Sequence, residues 1–450
     1  MNPFIFREYD IRGIVEKDLT DDVVYKIGLA CGTYMKRKGK SKINIGGDCR
    51  LSTEQFREAL MKGLTTTGCD VINLGICTTP ILYFSLFHLN NDGGIMITGS
   101  HNPPNFNGFK VCVGTHTIYG EEIQNLRKII EQGDFETGNG IVSNYNIVND
   151  YKEFIIEQFT FKKKLNVAID AGNGTVGEVI VPVLKRLGVN VIPLNCTMDG
   201  NFPVHHPDPT VLKNLEQIIS EIKNKHLDLG IAFDGDGDRI GIVNEKGKII
   251  WGDQLMILYS RDILKKQPGA TIISDVKCSK HLYDDIKRNG GHAIMWKTGH
   301  SLIKAKMKEV HAPLAGEMSG HIFFGDRYFG YDDAVYAALR LIEIIANTDK
   351  TISQLLSDIP QSYVTPEIRI HCSDEIKFRV IDNLKNELRG KYDFIDIDGV
   401  RIIFDDGWGL VRASNTQPVL VMRFEADSEK RLEEIKTFIE SKVDRILERI

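Results

Sequence analysis

The chain has no long apolar run, no paired-cysteine motif and no large excess of either charge. No stretch approaches the about 20 apolar residues that a membrane-spanning helix needs, so no membrane role is expected. The eight cysteines (31, 49, 69, 77, 112, 196, 278 and 372) include no C-x-x-C pair. That argues against a zinc cluster and against a redox dithiol, and scattered thiols in so large a chain fit reduced, buried cysteines of a cytoplasmic protein. A net charge of −5 makes no electrostatic case for nucleic acid or an acidic membrane. The first eight residues, Met1 to Glu8, lack a basic leader followed by a long apolar core, so no secretion signal is expected. What remains is ordinary soluble composition, 42% hydrophobic and 26% charged. At 450 residues the chain exceeds one core and predicts about three or four domains.

What stands out is the hexapeptide Asp234-Gly235-Asp236-Gly237-Asp238-Arg239, which sets three carboxylates at alternate positions between two strand-like apolar runs. Three like charges this close repel unless a cation gathers them. Carboxylate oxygens without Cys or His suit Mg²⁺ or Ca²⁺ rather than Zn²⁺. An EF-hand would also run D-x-D-x-D, with Glu245 at position twelve, but its sixth position must be Gly and here is Arg239. A solvated acidic turn is the other competing reading.

The chain repeats itself three times. Each copy has a strand running into an Asp (Asp48, Asp170, Asp275), a helix ending at a glycine (Gly68, Gly188, Gly290), and a second strand three residues later. These are βαβ units, and they predict three similar α/β domains with mixed, largely parallel sheets around a central cleft. A third apolar run in each copy ends in a polar loop: Thr98-Gly99-Ser100-His101-Asn102-Pro103, the carboxylate loop, and Gly316-Glu317-Met318-Ser319-Gly320-His321. Ligands of open α/β sheets bind at strand C-termini, so the three loops are expected to face a shared cleft, with three separate sites as the alternative. Beyond about residue 360 the pattern changes to alternating strands, with Asp398-Gly399 as a hairpin turn, closed by an amphipathic helix over 428–446. That predicts a smaller α+β domain. The expected boundaries are 1–146, 147–249, 250–361 and 362–450. Between the last two strands lies Arg412-Ala413-Ser414-Asn415-Thr416-Gln417-Pro418, whose guanidinium, hydroxyl and amide donors suit a phosphate or carboxylate, or else form a capping turn.

Asn102-Pro103-Pro104 fixes a turn that would hold Ser100 at a defined position. A Ser-His triad is disfavoured, because no G-x-S-x-G elbow surrounds Ser100 and neighbours such as His101 usually point apart. A serine beside Mg²⁺ and anion donors fits phosphoryl transfer better: three Asp and a phosphoserine oxygen would meet the cation's preference, with Arg12 and Arg239 offsetting phosphate charge. Lys110 is a candidate general acid or base beside the serine, against the commoner solvated lysine. His300 and His321 are candidates for proton transfer, or are structural histidines. The run Gly172-Asn173-Gly174-Thr175-Val176-Gly177 matches the dinucleotide fingerprint, but Asn195 stands where its acidic partner belongs, and hydride transfer would leave the other loops unexplained.

The four loops together, in order and spread over the whole chain, resemble the signature loops of the α-D-phosphohexomutase superfamily. Met318 between Glu317 and Ser319 is similar to the bacterial phosphomannomutase/phosphoglucomutase branch; the phosphoglucosamine branch usually has Gln there. The resemblance implies Ser100 as a phosphoserine that exchanges its phosphoryl group with substrate, and Asp234, Asp236 and Asp238 as Mg²⁺ ligands together with that phosphoserine. It implies sugar contacts from Glu317 and Ser319, and a grip on the non-reacting phosphate by Arg412, Ser414, Asn415 and Thr416, aided by Tyr9. Arg12, Lys110, Arg239, Lys277, His300 and His321 would line the cleft, with Lys110 expected to transfer the proton at the serine. It further implies exchange between hexose 1- and 6-phosphates of mannose or glucose through a hexose 1,6-bisphosphate, by a cytoplasmic monomer or weak dimer. The rivals are a phosphoglucosamine mutase, a Mg²⁺-dependent sugar phosphatase, which would not need the distal phosphate grip, and an inactive sugar-phosphate sensor.

Overall fold

The computed structural model describes residues 1–415 and 417–450. Its β-strands form four sheets. The first holds β1 (Ile11–Ile14), β2 (Lys42–Gly47), β3 (Asp70–Ile76), β4 (Gly93–Ile97), β5 (Phe106–Val113), β6 (His116–Thr117) and β7 (Val142–Asn144). The second holds β8 (Asn166–Asp170), β9 (Asn190–Leu194), β10 (Leu229–Phe233), β11 (Ile240–Asn244) and β12 (Ile249–Ile250). The third holds β13 (Thr271–Asp275), β14 (His292–Trp296), β15 (Leu314–Gly316) and β16 (Ile322–Phe324).

The sequence repeat is a repeat of topology. In each of these sheets the first strand of the unit (β2, β8, β13) lies between the second (β3, β9, β14) and the third (β4, β10, β15), and both pairings are parallel. The strand that follows, β5, β11 or β16, turns back antiparallel on the third. The sheets are therefore mixed, and the three polar loops are equivalent: each is the reversal between the third strand and its antiparallel neighbour. Strands β4 and β10 are buried along their whole length, as helix-covered parallel strands are. The glycine after each unit's helix has a left-handed backbone (φ +82° at Gly68, +80° at Gly188, +78° at Gly290), which ends the helix at no steric cost and starts the second strand.

The fourth sheet contains β17 (Tyr363–Val364), β18 (Ile368–His371), β19 (Phe394–Ile395), β20 (Val400–Phe404), β21 (Gly407–Ala413) and β22 (Val419–Ala426), all paired antiparallel. Helices Lys377–Leu388 and Glu429–Leu447 supply apolar side chains to a core of its own. One continuous core, by contrast, runs through the first three units, joining Leu82, Ile180, Met256 and Leu339. The fourth sheet meets them through a small contact of Trp408 and Leu410 with Val276. Arg401 braces that contact: its guanidinium donates to the carbonyls of Val276 (2.7 Å) and Cys278 (2.8 Å) and stacks 3.7 Å over Trp408. A desolvated cation–π contact of this kind is worth about 2 kcal/mol. The eight cysteines are free thiols; six are buried, while Cys49 and Cys196 are half-buried. No helix among the described residues is long and apolar enough to cross a membrane.

Candidate active site

The three equivalent loops converge. Ser100 Oγ donates a hydrogen bond to Asp234 Oδ2 at 2.9 Å, joining the first unit to the second. Arg239 Nε donates to His321 Nε2 at 2.9 Å, joining the second to the third. One shared cleft, rather than three separate sites, follows from these two contacts.

Ser100 is buried, with a left-handed backbone (φ +48°) unusual for a residue with a side chain. Two residues of the first strand's end enforce it. Asp48 accepts from Thr98 Oγ1 (2.7 Å) and from the Gly99 N–H (3.2 Å). Arg50, fully buried, donates to the carbonyls of Ser100 (2.8 Å), Asn102 (2.6 Å), Pro103 (2.6 Å) and Phe106 (2.9 Å). Arg12 donates to the Gly99 carbonyl at 2.7 Å. His101 does not point away from the serine: its Nδ1 lies 3.0 Å from Ser100 Oγ, because the left-handed turn at Ser100 folds the two side chains together. Burial, with Arg239 next, holds that imidazole well below its usual pKa, so it is neutral near pH 7.

Asp234, Asp236 and Asp238 are fully buried, and they offer carboxylate oxygens within 4.8 Å of one another. Asp234 Oδ1 accepts the N–H groups of Gly237 (3.0 Å), Asp238 (3.1 Å) and Arg239 (3.1 Å), which shapes the loop around its own carboxylate. Burial and the neighbouring Asp238 and Asp236 push the Asp234 carboxyl well above its ordinary range. Asp236 is also buried, yet Lys110 pulls it below that range. Asp236 Oδ1 and Asp238 Oδ1 are buried without hydrogen-bond partners. Converging hard oxygens with unsatisfied lone pairs fit a divalent cation such as Mg²⁺.

Lys110 bonds two of these carboxylates and makes no hydrogen bond to Ser100. Its Nζ donates to Asp236 Oδ2 at 2.7 Å and to Asp238 Oδ2, and these carboxylates, outweighing the cost of burial, keep its pKa above the usual lysine value. The proton transfer expected of Lys110 at Ser100 has no hydrogen bond behind it. The serine hydroxyl bonds Asp234 instead.

In the third unit, Glu317 is buried and accepts the Gly299 N–H at 2.6 Å; burial raises its pKa. Ser319 is half-buried in the same turn. His300 opens helix His300–Val310 and stacks on His321 with ring centroids 5.6 Å apart. Burial and then Lys304 keep the His300 imidazole neutral. The fourth loop reaches the first and third units through Tyr9: Asn415 Nδ2 donates to the Tyr9 hydroxyl at 2.6 Å, and that hydroxyl donates to the Thr298 carbonyl at 2.8 Å. Arg412 is held by Asp398 at 3.0 Å, and Ser414 is buried beside it. Lys277 pairs with Glu367 at 3.3 Å. Thr416 lies outside the described residues.

Sequence reasoning passed over several residues that shape this site. Asp48 and Asp275 were visible as strand-ending aspartates, and each reaches the loop of its own unit, Asp275 Oδ1 accepting the Met318 N–H at 3.3 Å. Arg50 carried no local signal. Asp332 is fully buried, with its Oδ2 3.0 Å from His321 Nδ1. Its only mark in the sequence was adjacency to Asp333, the N-cap of helix Ala334–Ala346.

Comparison with known proteins agrees with this layout. Four family models match in order: phosphoglucomutase/phosphomannomutase alpha/beta/alpha domain I over residues 3–137, domain II over 149–247, domain III over 251–363, and the C-terminal domain over 367–442. The chain belongs to the phosphoglucomutase/phosphomannomutase family. It is 46% identical over 434 residues to a phosphomannomutase/phosphoglucomutase of Pseudomonas aeruginosa, covering 96% of this chain and 94% of that one. It is 46% identical over 437 residues to a phosphoglucomutase of Neisseria gonorrhoeae, with 96% and 95% covered. Among solved structures, a phosphoglucomutase/phosphomannomutase family protein from Burkholderia thailandensis superposes with a TM-score of 0.94 at 40% identity, covering 99% of this chain and 98% of that one. Family membership makes this chain a mutase, an intramolecular phosphotransferase.

Proposed function

We propose that this mutase interconverts hexose 1-phosphate and hexose 6-phosphate, of mannose, glucose or both, by way of a phosphoserine at Ser100 and a hexose 1,6-bisphosphate. The observation that carries the reading is the 2.9 Å contact of Ser100 Oγ with Asp234, at the meeting of three equivalent loops. Mg²⁺ held by Asp234, Asp236, Asp238 and the seryl phosphate would supply electrophilic stabilisation of the transferring phosphoryl group. Arg12, Lys110 and Arg239 offset phosphate charge with positions set by buried partners, so little reorganisation accompanies the reaction. His321 handles the proton of the sugar hydroxyl that receives or releases phosphate, with His300 stacked on it. Glu317 and Ser319 bind ring hydroxyls. Arg412, Ser414, Asn415 and Thr416, with Tyr9 and Lys277, hold the distal phosphate in either orientation of the sugar.

The division 1–146, 147–249, 250–361 and 362–450 is proposed as the domain structure. It is supported by the four sheets, which follow these segments except that the 249/250 boundary cuts β12 (Ile249–Ile250), and by the separate core of the last. A separately cored fourth domain can close over substrate and exclude water while the bisphosphate turns round. The working form is taken to be a cytoplasmic monomer or weak dimer acting on free sugar phosphates.

Ser100→Ala tests the mechanism. Steady turnover of glucose 1-phosphate should vanish while circular dichroism stays that of the parent; near-normal rates would refute it. Release of inorganic phosphate from glucose 1-phosphate by the parent, in place of glucose 6-phosphate, would favour a phosphatase.

A further inference from the structure

Each carboxylate of the Asp234–Asp238 loop has one oxygen committed to the protein. Asp234 Oδ1 accepts three N–H groups of its own loop, and Asp238 Oδ2 accepts from Lys110. Asp236 is held from the first unit. Its Oδ2 accepts the Thr79 hydroxyl at 2.5 Å and Lys110 Nζ at 2.7 Å. Thr79 also donates its backbone N–H to the Asp236 carbonyl at 2.9 Å, so a single residue grips both the main chain and the side chain of Asp236.

The grip is rigid. Thr79 is fully buried and begins helix Thr79–His88, with Pro80 next in the first turn. Ile81, Leu82 and Phe84 of that helix anchor it in the continuous core. A β-branched side chain has few χ1 choices there. With Oδ2 bonded twice, Asp236 Oδ1 is left buried and without a partner.

We propose that Thr79 is a positioning residue for the metal site: its hydroxyl fixes the rotation of the Asp236 carboxylate so that Oδ1 is the oxygen offered to Mg²⁺. The proposal rests on the reading that Asp234, Asp236 and Asp238 bind that cation. Lys110 does not fix the rotation by itself, because its Nζ also bonds Asp238 and its flexible stem can follow either carboxylate. A hydroxyl–carboxylate bond of this length is charge-assisted and directional. Thr79→Val keeps the shape, the branching and the backbone N–H, and removes the donor.

The experiment compares the parent with Thr79→Val, Thr79→Ser, Thr79→Ala and Asp236→Ala as full-length proteins, with the phosphate content of Ser100 matched by intact mass. Mn²⁺ binding without substrate is read from the electron paramagnetic resonance signal of the free ion, and Mg²⁺ activation from glucose 1-phosphate turnover. Thr79→Val should raise the Mn²⁺ Kd and the Mg²⁺ concentration for half-activation together, by about 10- to 100-fold, as loss of a hydrogen-bond partner of a metal ligand does. Saturating Mg²⁺ should then restore kcat and KM to within about threefold of the parent. Thr79→Ser keeps the hydroxyl and should bind Mn²⁺ within about threefold of the parent. Should Thr79→Val fail to fold, Thr79→Ala decides in its place, with a rise in Mn²⁺ Kd of at least about tenfold. A packing role predicts lost turnover that Mg²⁺ does not repair, with Mn²⁺ affinity kept. That result, or Thr79→Ser as weak as Thr79→Val, overturns the proposal. Parent-like Mn²⁺ binding by Asp236→Ala would instead overturn the metal reading itself, and the proposal with it.

Discussion

Replacing Arg50 with leucine should loosen the serine loop more than it disturbs anything else. The guanidinium is fully buried, makes four hydrogen bonds to carbonyls between Ser100 and Phe106, and has Nε 3.3 Å from Asp48 Oδ2. Each hydrogen bond from a charged donor contributes about 1.5–3 kcal/mol, but four in one loop are not additive. Breaking a buried ion pair costs about 3–5 kcal/mol, and that is the more defensible figure, since the loop can open to water and rehydrate its carbonyls. At about 1.4 kcal/mol per factor of ten, the opening equilibrium of residues 98–106 should rise roughly 10²- to 4 × 10³-fold. The left-handed backbone at Ser100, worth about 1–3 kcal/mol of strain, would lose its constraint and the hydroxyl its fixed place beside Asp234. Hydrogen exchange by mass spectrometry reads the loop directly, with peptides from the second and third units as internal controls, alongside kcat. Unchanged protection over 98–106 together with turnover within twofold of the parent would refute the argument.

Arg412→Ala should raise KM for hexose 1-phosphate about 10- to 100-fold, the worth of a charge-assisted contact to phosphate, while leaving the Mg²⁺ concentration for half-activation unchanged; equal shifts in both would contradict a distal phosphate role. The Glu367 carboxyl is pulled down from its ordinary value of 4.5 to about 2, chiefly by Lys277 across the junction of the third and fourth sheets. A depressed folded-state pKa contributes stability that is present above the unfolded value and lost as pH falls from about 4.5 toward 2, here about 2 kcal/mol after allowing for partial exposure. The stability gap between parent and Glu367→Gln, from urea titrations, should therefore shrink over that window; a constant gap would contradict the linkage.

Much of this was legible in the chain because the repeat is local. Strand, helix, left-handed glycine and strand lie within some tens of residues, so apolar spacing and turn chemistry define each unit without long-range information. The reversal of the fourth strand was less visible: an apolar run such as Ile240–Val243 carries no mark of direction, so mixed, largely parallel sheets were expected without the place of the antiparallel strand in each unit. The site divides the same way. Asp234, Asp236 and Asp238 announce themselves because one hexapeptide concentrates the charge. Asp332 and Arg50 do not, since single charged residues in a chain with 26% charged content carry no signal until their partners are known.

The sequence by itself determined the units, the order of the four loops and the donor chemistry of each, because those properties reside in short contiguous segments. Only the tertiary structure decided which side chains meet across units. It set Lys110 between two carboxylates rather than on the serine, turned His101 toward Ser100, and placed Asp332 against His321. Those pairings depend on packing distant segments to within about 3 Å, at which distance hydrogen bonding and charge, rather than residue type alone, determine what each group does.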